Sequence, residues 1–144
     1  MSIRLRVAAI VVHEQCVLLV STKRGRPGYL VPPGGGVERD EPLAEAVARE
    51  VAEEAGLTVR VGGLLAYREL RTTRGRALEL YFGARLDHAP VVVSTEDRAV
   101  RWVPLGELGQ LPHFPERLAE LCALAQAPAA GAVFLGSADL LDEG

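Results

Sequence analysis

The sequence is poor in aromatic residues, in cysteine and in long apolar runs. Aromatic residues make up 5% of the 144 residues, and the two cysteines, Cys16 and Cys122, lie far apart in separate apolar segments. A chain of this length buries enough surface to fold without cross-links, so we interpret both cysteines as buried free thiols. No run reaches the ~18 apolar residues of a membrane span, and no secretory signal is evident at the start. We therefore expect a cytoplasmic protein without a membrane partner.

An excess of positive charge is also lacking. The chain has 16 Lys and Arg against 19 Asp and Glu, and its net charge is −3. A broad nucleic-acid-binding face needs clustered positive charge, so we do not expect nucleic acid as a partner. If the ligand is a polyphosphate, an acidic protein needs a cation to mediate the contact. The length predicts one domain over residues 1–144, with a weakly defined tail from about residue 128.

Apolar patterning and turn residues predict a mixed α/β fold. Residues 3–12 and 16–21 are apolar, β-branched runs separated by a short polar segment, which predicts a hairpin. Further strands are predicted at residues 58–61, 64–71, 77–86, 91–93, 101–103 and 132–135. Helices are predicted at 42–55 and 115–125, each with proline in its first turn, and a single helical turn at 106–108. The simplest assembly places a mixed sheet between helices.

The first predicted helix carries three carboxylates on one side. Glu50, Glu53 and Glu54 stand at i, i+3 and i+4, within an arc of roughly 100°. Like charges at this spacing weaken a helix, and the arrangement makes sense if a divalent cation sits among them. Mg²⁺ prefers hard oxygen ligands and is typically held by carboxylates together with substrate phosphates. Taken alone, the pattern is more typical of a solvated acidic face than of a metal site.

A glycine-rich loop, Pro33-Gly34-Gly35-Gly36, precedes this helix. Glycine allows a ligand to approach the backbone closely, and exposed N–H or C=O groups there can contact phosphate or metal. On its own, a glycine tract is usually a flexible turn. Joined to a helix with a carboxylate patch, it favours a site for a phosphate-containing ligand.

Loop and helix together resemble the Nudix box, G-x5-E-x7-R-E-U-x-E-E-x-G-U, in which U is bulky and aliphatic. Five residues separate Gly35 from Glu41, seven more lead to Arg49, and residues 49–57 read REVAEEAGL. Every fixed position matches, and chance would produce this on the order of 10⁻⁸ times per chain. Two departures concern the shape of the loop: Asp40 stands where a glycine usually precedes the first Glu, and Pro32 doubles the proline.

The resemblance implies an α/β fold of the Nudix type, an α/β/α sandwich with a mixed β-sheet between helices. It implies metal-dependent hydrolysis of a diphosphate bond in a nucleoside diphosphate linked to another moiety. Mg²⁺, with Mn²⁺ as a substitute, would be held by Glu50, Glu53 and Glu54, with the Gly34 carbonyl as an additional ligand. Metal would acidify the water that attacks phosphorus, and Glu50 or Glu53 would take its proton.

Other residues of the box are expected to support this site. We expect Arg49 to hold the ligand carboxylates in position, because Glu53 lies at i+4 and Glu45 at i−4; an ordinary surface ion pair is the alternative. We expect Glu41 to favour the helix N-terminus electrostatically rather than to bind metal. Gly35 is expected to approach the substrate.

Residues outside the box supply further candidates. Family members often use an acidic residue from a later loop, and Glu96 or Asp97 is the candidate, with a polar turn as the alternative. Arg71 and Arg74, on a hairpin with alternating arginines, are candidates to contact the end of the substrate that is not hydrolysed; a solvated hairpin is the alternative. Weaker candidates flank the glycine loop: Lys23, Arg24 and Tyr29.

The pattern does not identify the substrate within its class. The proline that ADP-ribose hydrolases carry beyond the box is absent, since Thr72 and Thr73 stand there. We prefer a (deoxy)nucleoside triphosphate, with nucleotide sugars next, as the small-molecule partner. The alternative is a non-catalytic nucleotide-binding or regulatory module on the same fold, although such a module would be free to lose a carboxylate and none is lost. A homodimer stays open.

Overall fold

Apolar, β-branched runs build one mixed sheet with a helix on each face. The computed structural model describes residues 2–22, 28–88, 99–127 and 131–140. The strands are β1 (Ile3–His13), β2 (Cys16–Ser21), β3 (Leu30–Val31), β4 (Gly34–Gly36), β5 (Val59–Thr72), β6 (Gly75–Leu86), β7 (Val100–Pro104) and β8 (Val133–Leu140). The helices are α1 (Leu43–Ala55) and α2 (Leu118–Gln126), with a 3₁₀ helix at Leu105–Gln110.

Strand β1 lies at the centre of the sheet. The strand order is β3-β2-β1-β6-β5-β8, with β4 paired to β1 and β7 paired to β2 outside this path. The β1–β6 and β5–β8 pairs are parallel, and the remaining pairs are antiparallel. The sheet is therefore mixed, and the predicted α/β/α sandwich is confirmed.

Alternate residues of β1 divide the core into two layers, because successive side chains of a strand point to opposite faces. The layer under α1 contains Val7, Ala9, Val11, Ala46, Val47, Val51 and Ala55. The layer under α2 contains Ala8, Ile10, Tyr81, Leu118, Leu121 and Cys122. We name the two sides of the sheet the α1 face and the α2 face accordingly.

Helix α1 begins and ends close to its predicted bounds. Pro42 precedes its first residue in an extended conformation, where the missing N–H removes no helical hydrogen bond. Gly56 ends it with φ 68°, and its N–H donates to the carbonyl of Ala52 at 3.0 Å. This left-handed position favours glycine, which has no Cβ to clash.

Several predicted elements differ in extent from those observed. The segments predicted at 58–61 and 64–71 form the single strand β5, because irregularities between Val61 and Ala66 absorb the glycines at 62 and 63. Helix α2 begins at Leu118 instead of Pro115, and the edge strand predicted at 132–135 extends as β8 to Leu140. The strand predicted at 91–93 lies outside the described residues.

The remaining expectations concern burial and the glycine loop. Both cysteines are free, but only Cys122 is fully buried; Cys16 is half-buried, so the prediction of two buried thiols is wrong for one of them.

Asp40 adopts φ 61°, the conformation that the glycine usual at this position would favour. Asp tolerates the left-handed region better than most residues, which explains how the loop accepts this departure. Within the described residues, no helix is long and apolar enough to cross a membrane.

Candidate functional site

The glycine loop reaches the carboxylate helix because its glycines form a strand of the sheet. Strand β4 pairs with β1, so that Gly35 lies opposite Val7 and Gly36 opposite Arg6. A Cβ at Gly35 would lie 2.5 Å from Oε1 of Glu50. Glycine is therefore needed at position 35 to let the Glu50 carboxylate approach the backbone.

The three predicted ligand carboxylates differ in exposure. Glu54 is buried, and its Oε1 accepts a hydrogen bond from the backbone N–H of Gly34 at 3.2 Å. The Glu50 side chain is 12% exposed and that of Glu53 is 58% exposed. The loop and the carboxylates thus come together as predicted, with Glu54 anchored against β4 and Glu53 facing solvent.

Arg49 connects the carboxylates to the loop. Its Nε and Nη2 donate to the two carboxylate oxygens of Glu41 at 2.7 and 2.9 Å. Its Nη1 donates to Glu50 at 3.0 Å and to Glu53 at 3.3 Å. Its Nη2 also donates to the carbonyl oxygen of Gly36 at 3.1 Å. The predicted contact with Glu53 is present, but in the described part of the chain the second strong partner is Glu41 in place of Glu45.

Glu41 is itself fixed by the loop. Its Oε1 accepts a hydrogen bond from the backbone N–H of Glu38 at 3.0 Å, and its own N–H donates to the Glu38 carbonyl at 3.1 Å. The hydrogen bonds from Arg49 and from the Glu38 backbone lower the pKa of Glu41 to about 2. Bonding to Glu41 in turn raises the pKa of Arg49. Glu41 therefore contacts Arg49 as an ionised partner, a contact that the sequence did not predict.

The Glu41→Gln variant is expected to lower kcat by about 10–100-fold, the range for loss of a group that orients a metal ligand, with little change in KM. Arg49 would lose a bidentate anionic partner, and Glu50 would lose its fixed position. Steady-state kinetics together with thermal unfolding would distinguish a displaced Glu50 carboxylate from a misfolded protein. An unchanged kcat would show that Glu41 has only a structural role.

The Glu41–Arg49 pair also predicts a pH dependence of folding. The pKa of Glu41 is lower in the folded state than its ordinary value of 4.5. Its stabilising contribution is therefore fully present above pH 4.5 and is lost as the pH falls towards 2.

The carboxylates fit a divalent cation by donor type and by charge. As they stand, no three acidic, histidine or cysteine side chains within the described ranges form a group that could hold a metal ion. Glu50 and Glu53 bind Arg49 instead, and Glu54 binds the Gly34 amide. Among the described residues, the guanidinium of Arg49 is shared by the carboxylates of Glu38, Glu41, Glu50 and Glu53, which together carry more negative charge than one arginine balances. Hard carboxylate oxygens with excess negative charge are what Mg²⁺ requires. Among the described residues, Glu50 and Glu53 each use one oxygen for Arg49, so the second oxygen of each can contact a cation.

The arginines of the hairpin lie apart from the carboxylates. Arg71 pairs with Asp139 of β8, Nε to Oδ1 at 3.0 Å, and Arg74 lies exposed in the turn after β5. In the sheet, Arg76 lies opposite Ile3 and Gly36 opposite Arg6, so the turn is displaced along β1 from the glycine loop. The structure therefore does not bring Arg71 and Arg74 into contact with the predicted metal ligands.

Of the remaining candidates, only Tyr29 lies within the described residues. The ring of Tyr29 stacks on that of Phe114, with centroids 4.9 Å apart. Glu96, Asp97, Lys23 and Arg24 lie outside the described residues.

A polar cluster on the α2 face was not predicted from the sequence. Glu79 is buried between Arg6 and Arg68, and the Tyr81 hydroxyl also donates to its carboxylate. These residues are up to 73 positions apart in the chain, so no local motif joins them. The available signal was a charged residue at an inward-facing position of a strand, since Glu79 lies on the same face of β6 as the buried Ala77 and Tyr81.

Comparisons with known proteins indicate the same family as the box. Residues 3–124 match the family model described as NUDIX domain. A MutT-like protein from Streptomyces ambofaciens is 36% identical over 118 residues, which cover 82% of this chain and 71% of that protein. Diphosphoinositol polyphosphate phosphohydrolase 2 from Rattus norvegicus is 46% identical over 64 residues, which cover 44% of this chain and only 35% of the relative.

A solved structure shares the fold over nearly the whole chain. The ADP-ribose pyrophosphatase from Streptococcus suis 89-1591 superposes with a TM-score of 0.69 at 24% sequence identity, covering 92% of this chain and 99% of that one. At this identity the likeness concerns the fold alone.

Proposed function

Because this chain belongs to the NUDIX domain family, and is therefore a pyrophosphohydrolase, we propose that its substrate is a (deoxy)nucleoside triphosphate, from which it releases pyrophosphate. The observation that carries this proposal is the complete box, whose Glu50 and Glu54 side chains meet the backbone of β4. Nucleotide sugars are the second substrate class. The MutT-like relative, whose similarity extends over most of the chain, supports the family activity on which this choice of substrate is built.

We propose that Glu50, Glu53, Glu54 and the Gly34 carbonyl hold Mg²⁺, for which Mn²⁺ can substitute. A bound divalent cation supplies charge neutralisation of the diphosphate and acidification of water. Arg49 keeps Glu50 and Glu53 oriented through its Nη1 hydrogen bonds. A carboxylate oxygen of Glu50 or Glu53 accepts the proton of the attacking water.

Besides holding the cation and accepting the proton, the protein has to let the diphosphate reach the backbone of β4. The water oxygen bonds to the α-phosphorus, and its proton passes to the carboxylate. The P–O bond between the α-phosphorus and the bridging oxygen breaks, so that pyrophosphate leaves and a nucleoside monophosphate remains. Gly35 brings the scissile diphosphate close to the backbone because it carries no side chain. Glu96 or Asp97 stays proposed as a further acidic residue of the site, with Glu96 as a substrate contact.

A substrate panel tests this function. We would incubate the protein with nucleoside triphosphates, nucleotide sugars, ADP-ribose and a diphosphoinositol polyphosphate, each with Mg²⁺, with Mn²⁺ and with a chelator, and identify the phosphate-containing products. The expected result is metal-dependent release of pyrophosphate, fastest from triphosphates. Absence of metal-dependent turnover across the panel would favour the non-catalytic binding module.

The exposed arginines of the hairpin turn are proposed to contact the part of the substrate that is not hydrolysed. Replacing Arg71 and Arg74 together with Gln is then expected to raise KM by about 3–10-fold, because exposed charge contacts contribute little each. Replacing Arg60 with Gln provides a control, since Arg60 pairs with Asp87 at the other end of β5. An unchanged KM in the double variant would remove both arginines from the site.

A further inference from the structure

Four strands place a row of residues side by side on the α2 face. Gly36 of β4 pairs with Arg6 of β1, Arg6 pairs with Glu79 of β6, and Glu79 pairs with Arg68 of β5. Paired residues of neighbouring strands share a face of the sheet. Along β1, Val7 packs in the α1 layer and Ala8 in the α2 layer. Arg6 is two residues before Ala8 and therefore points to the same face as Ala8. The row therefore lies on the side of the sheet opposite α1.

Two arginines of the row donate to the same carboxylate. Arg68 donates from Nε and Nη2 to Oε1 of Glu79 at 3.2 and 3.0 Å, and the Tyr81 hydroxyl donates to the same oxygen. Arg6 donates from Nε to Oε2 of Glu79 at 3.3 Å. Burial opposes ionisation of Glu79, but the two arginines outweigh it, so the pKa of Glu79 lies below its ordinary value. One carboxylate thus faces two guanidinium groups.

Arg6 is the accessible member of the row. Its side chain is 34% exposed, whereas those of Arg68 and Glu79 are 10% and 11% exposed. Among the residues that the structure describes, Arg6 uses only Nε for a hydrogen bond, so both terminal amino groups have no protein partner. Glu79 therefore fixes one edge of the guanidinium and leaves the other edge for a ligand.

The space beside Arg6 is open. A Cβ at its neighbour Gly36 would meet no atom within 4 Å. One residue earlier, Gly35 faces the Glu50 carboxylate on the α1 face. Strand β4 thus has the carboxylates of α1 on one side and the free edge of the Arg6 guanidinium on the other. Because β4 consists of glycines, it has no side chain that would block a ligand from contacting both.

We propose that Arg6 binds a phosphate group of the substrate next to the scissile diphosphate, and so selects triphosphates and longer polyphosphates. The inference rests on the proposed function and deepens it by assigning the residue that recognises the additional phosphate. A planar guanidinium matches two phosphate oxygens at once, whereas the guanidinium of Arg49 on α1 is already bound to carboxylates. Arg68 is a positioning residue, because its two hydrogen bonds hold the Glu79 carboxylate that fixes the Arg6 guanidinium.

Equilibrium binding in Mg²⁺ tests this assignment without turnover. The probes are a nucleoside triphosphate analogue with methylene bridges in place of both anhydride oxygens, and the corresponding nucleoside monophosphate. Arg6→Gln is expected to weaken binding of the triphosphate analogue by about 10–100-fold, the range for loss of hydrogen bonds to a charged group, and binding of the monophosphate by less than about threefold. Arg6→Lys, which keeps the charge but not the fork, is expected to fall between wild type and Arg6→Gln. Arg60→Gln should bind both probes within about twofold of wild type, because a remote exposed charge contributes little.

The outcomes separate this inference from the proposed function. Unchanged binding of the triphosphate analogue by Arg6→Gln, or no binding by the wild type, would overturn the role of Arg6. If Arg6→Gln does not fold, the binding measurement on Arg6→Lys tests the inference instead. Wild-type affinity of Arg6→Lys for the triphosphate analogue would exclude bidentate recognition by Arg6. If the wild type hydrolyses nothing in the panel but Arg6→Gln loses affinity, the proposed function fails and the phosphate contact stands.

Discussion

Replacing Glu54 with Gln is expected to lower kcat by at least about 100-fold, because even residues that only orient a metal ligand contribute 10–100-fold. Glutamine has the same shape and keeps an oxygen that can accept the hydrogen bond now donated by the Gly34 amide. The contact between α1 and β4 should therefore remain, while the negative charge is lost. Kinetics over a range of Mg²⁺ concentrations, together with thermal unfolding, would measure both effects.

Glu45→Gln is the matched control for this variant. Glu45 lies on the same helix, is exposed, and undergoes the same loss of charge. Its kcat should stay within about twofold of wild type, as expected for an exposed surface charge. Full activity in Glu54→Gln would show that Glu54 does not hold the cation and that the assignment of the ligands is wrong.

Replacing Gly35 with Ala is expected to reduce kcat by about 100-fold, because displacement of a reacting group by 1 Å can cost that much. The new methyl group would lie 2.5 Å from Oε1 of Glu50 and 2.8 Å from its carboxyl carbon. The carboxylate is the end of a flexible side chain, so it can move aside with little loss of stability. The variant should therefore fold normally and fail in catalysis.

Two further glycines distinguish this mechanism from general damage. Gly34→Ala would place its methyl group 2.2 Å from the carbonyl oxygen of Val7, so it should disrupt the pairing of β1 with β4 and destabilise the fold. Gly106→Ala meets no atom within 4 Å and should resemble the wild type. If Gly35→Ala kept wild-type kcat, close approach of Glu50 to the loop would not matter for catalysis.

Local spacing was sufficient to predict the parts of the site that lie on one element. The period of Leu43, Val47 and Val51, with Pro42 before and Gly56 after, predicted α1 to within one residue at its start. The same spacing placed Glu50, Glu53 and Glu54 on one side of the helix. These inferences hold because a helix converts spacing along the chain directly into spatial proximity.

Contacts between distant segments were not accessible in this way. Of the two partners expected for Arg49 from helical spacing, Glu53 is present, but in place of Glu45 the structure brings Glu41 back from the preceding loop. The row formed by Arg6, Glu79 and Arg68 depends on which strands are adjacent and in which register. Alternation along a strand indicates a shared face but does not identify the neighbouring strand.

The proposed hydrolysis requires that the acidic face of α1 binds divalent cations. Titration of the protein with Mn²⁺, followed by electron paramagnetic resonance, measures this directly for the wild type, Glu54→Gln and Glu45→Gln. We predict that the wild type and Glu45→Gln bind Mn²⁺ that Mg²⁺ displaces, and that Glu54→Gln binds it at least about tenfold more weakly. Equal Mn²⁺ affinity in Glu54→Gln and the wild type, or no Mn²⁺ binding by the wild type with a nucleotide analogue present, would contradict the account.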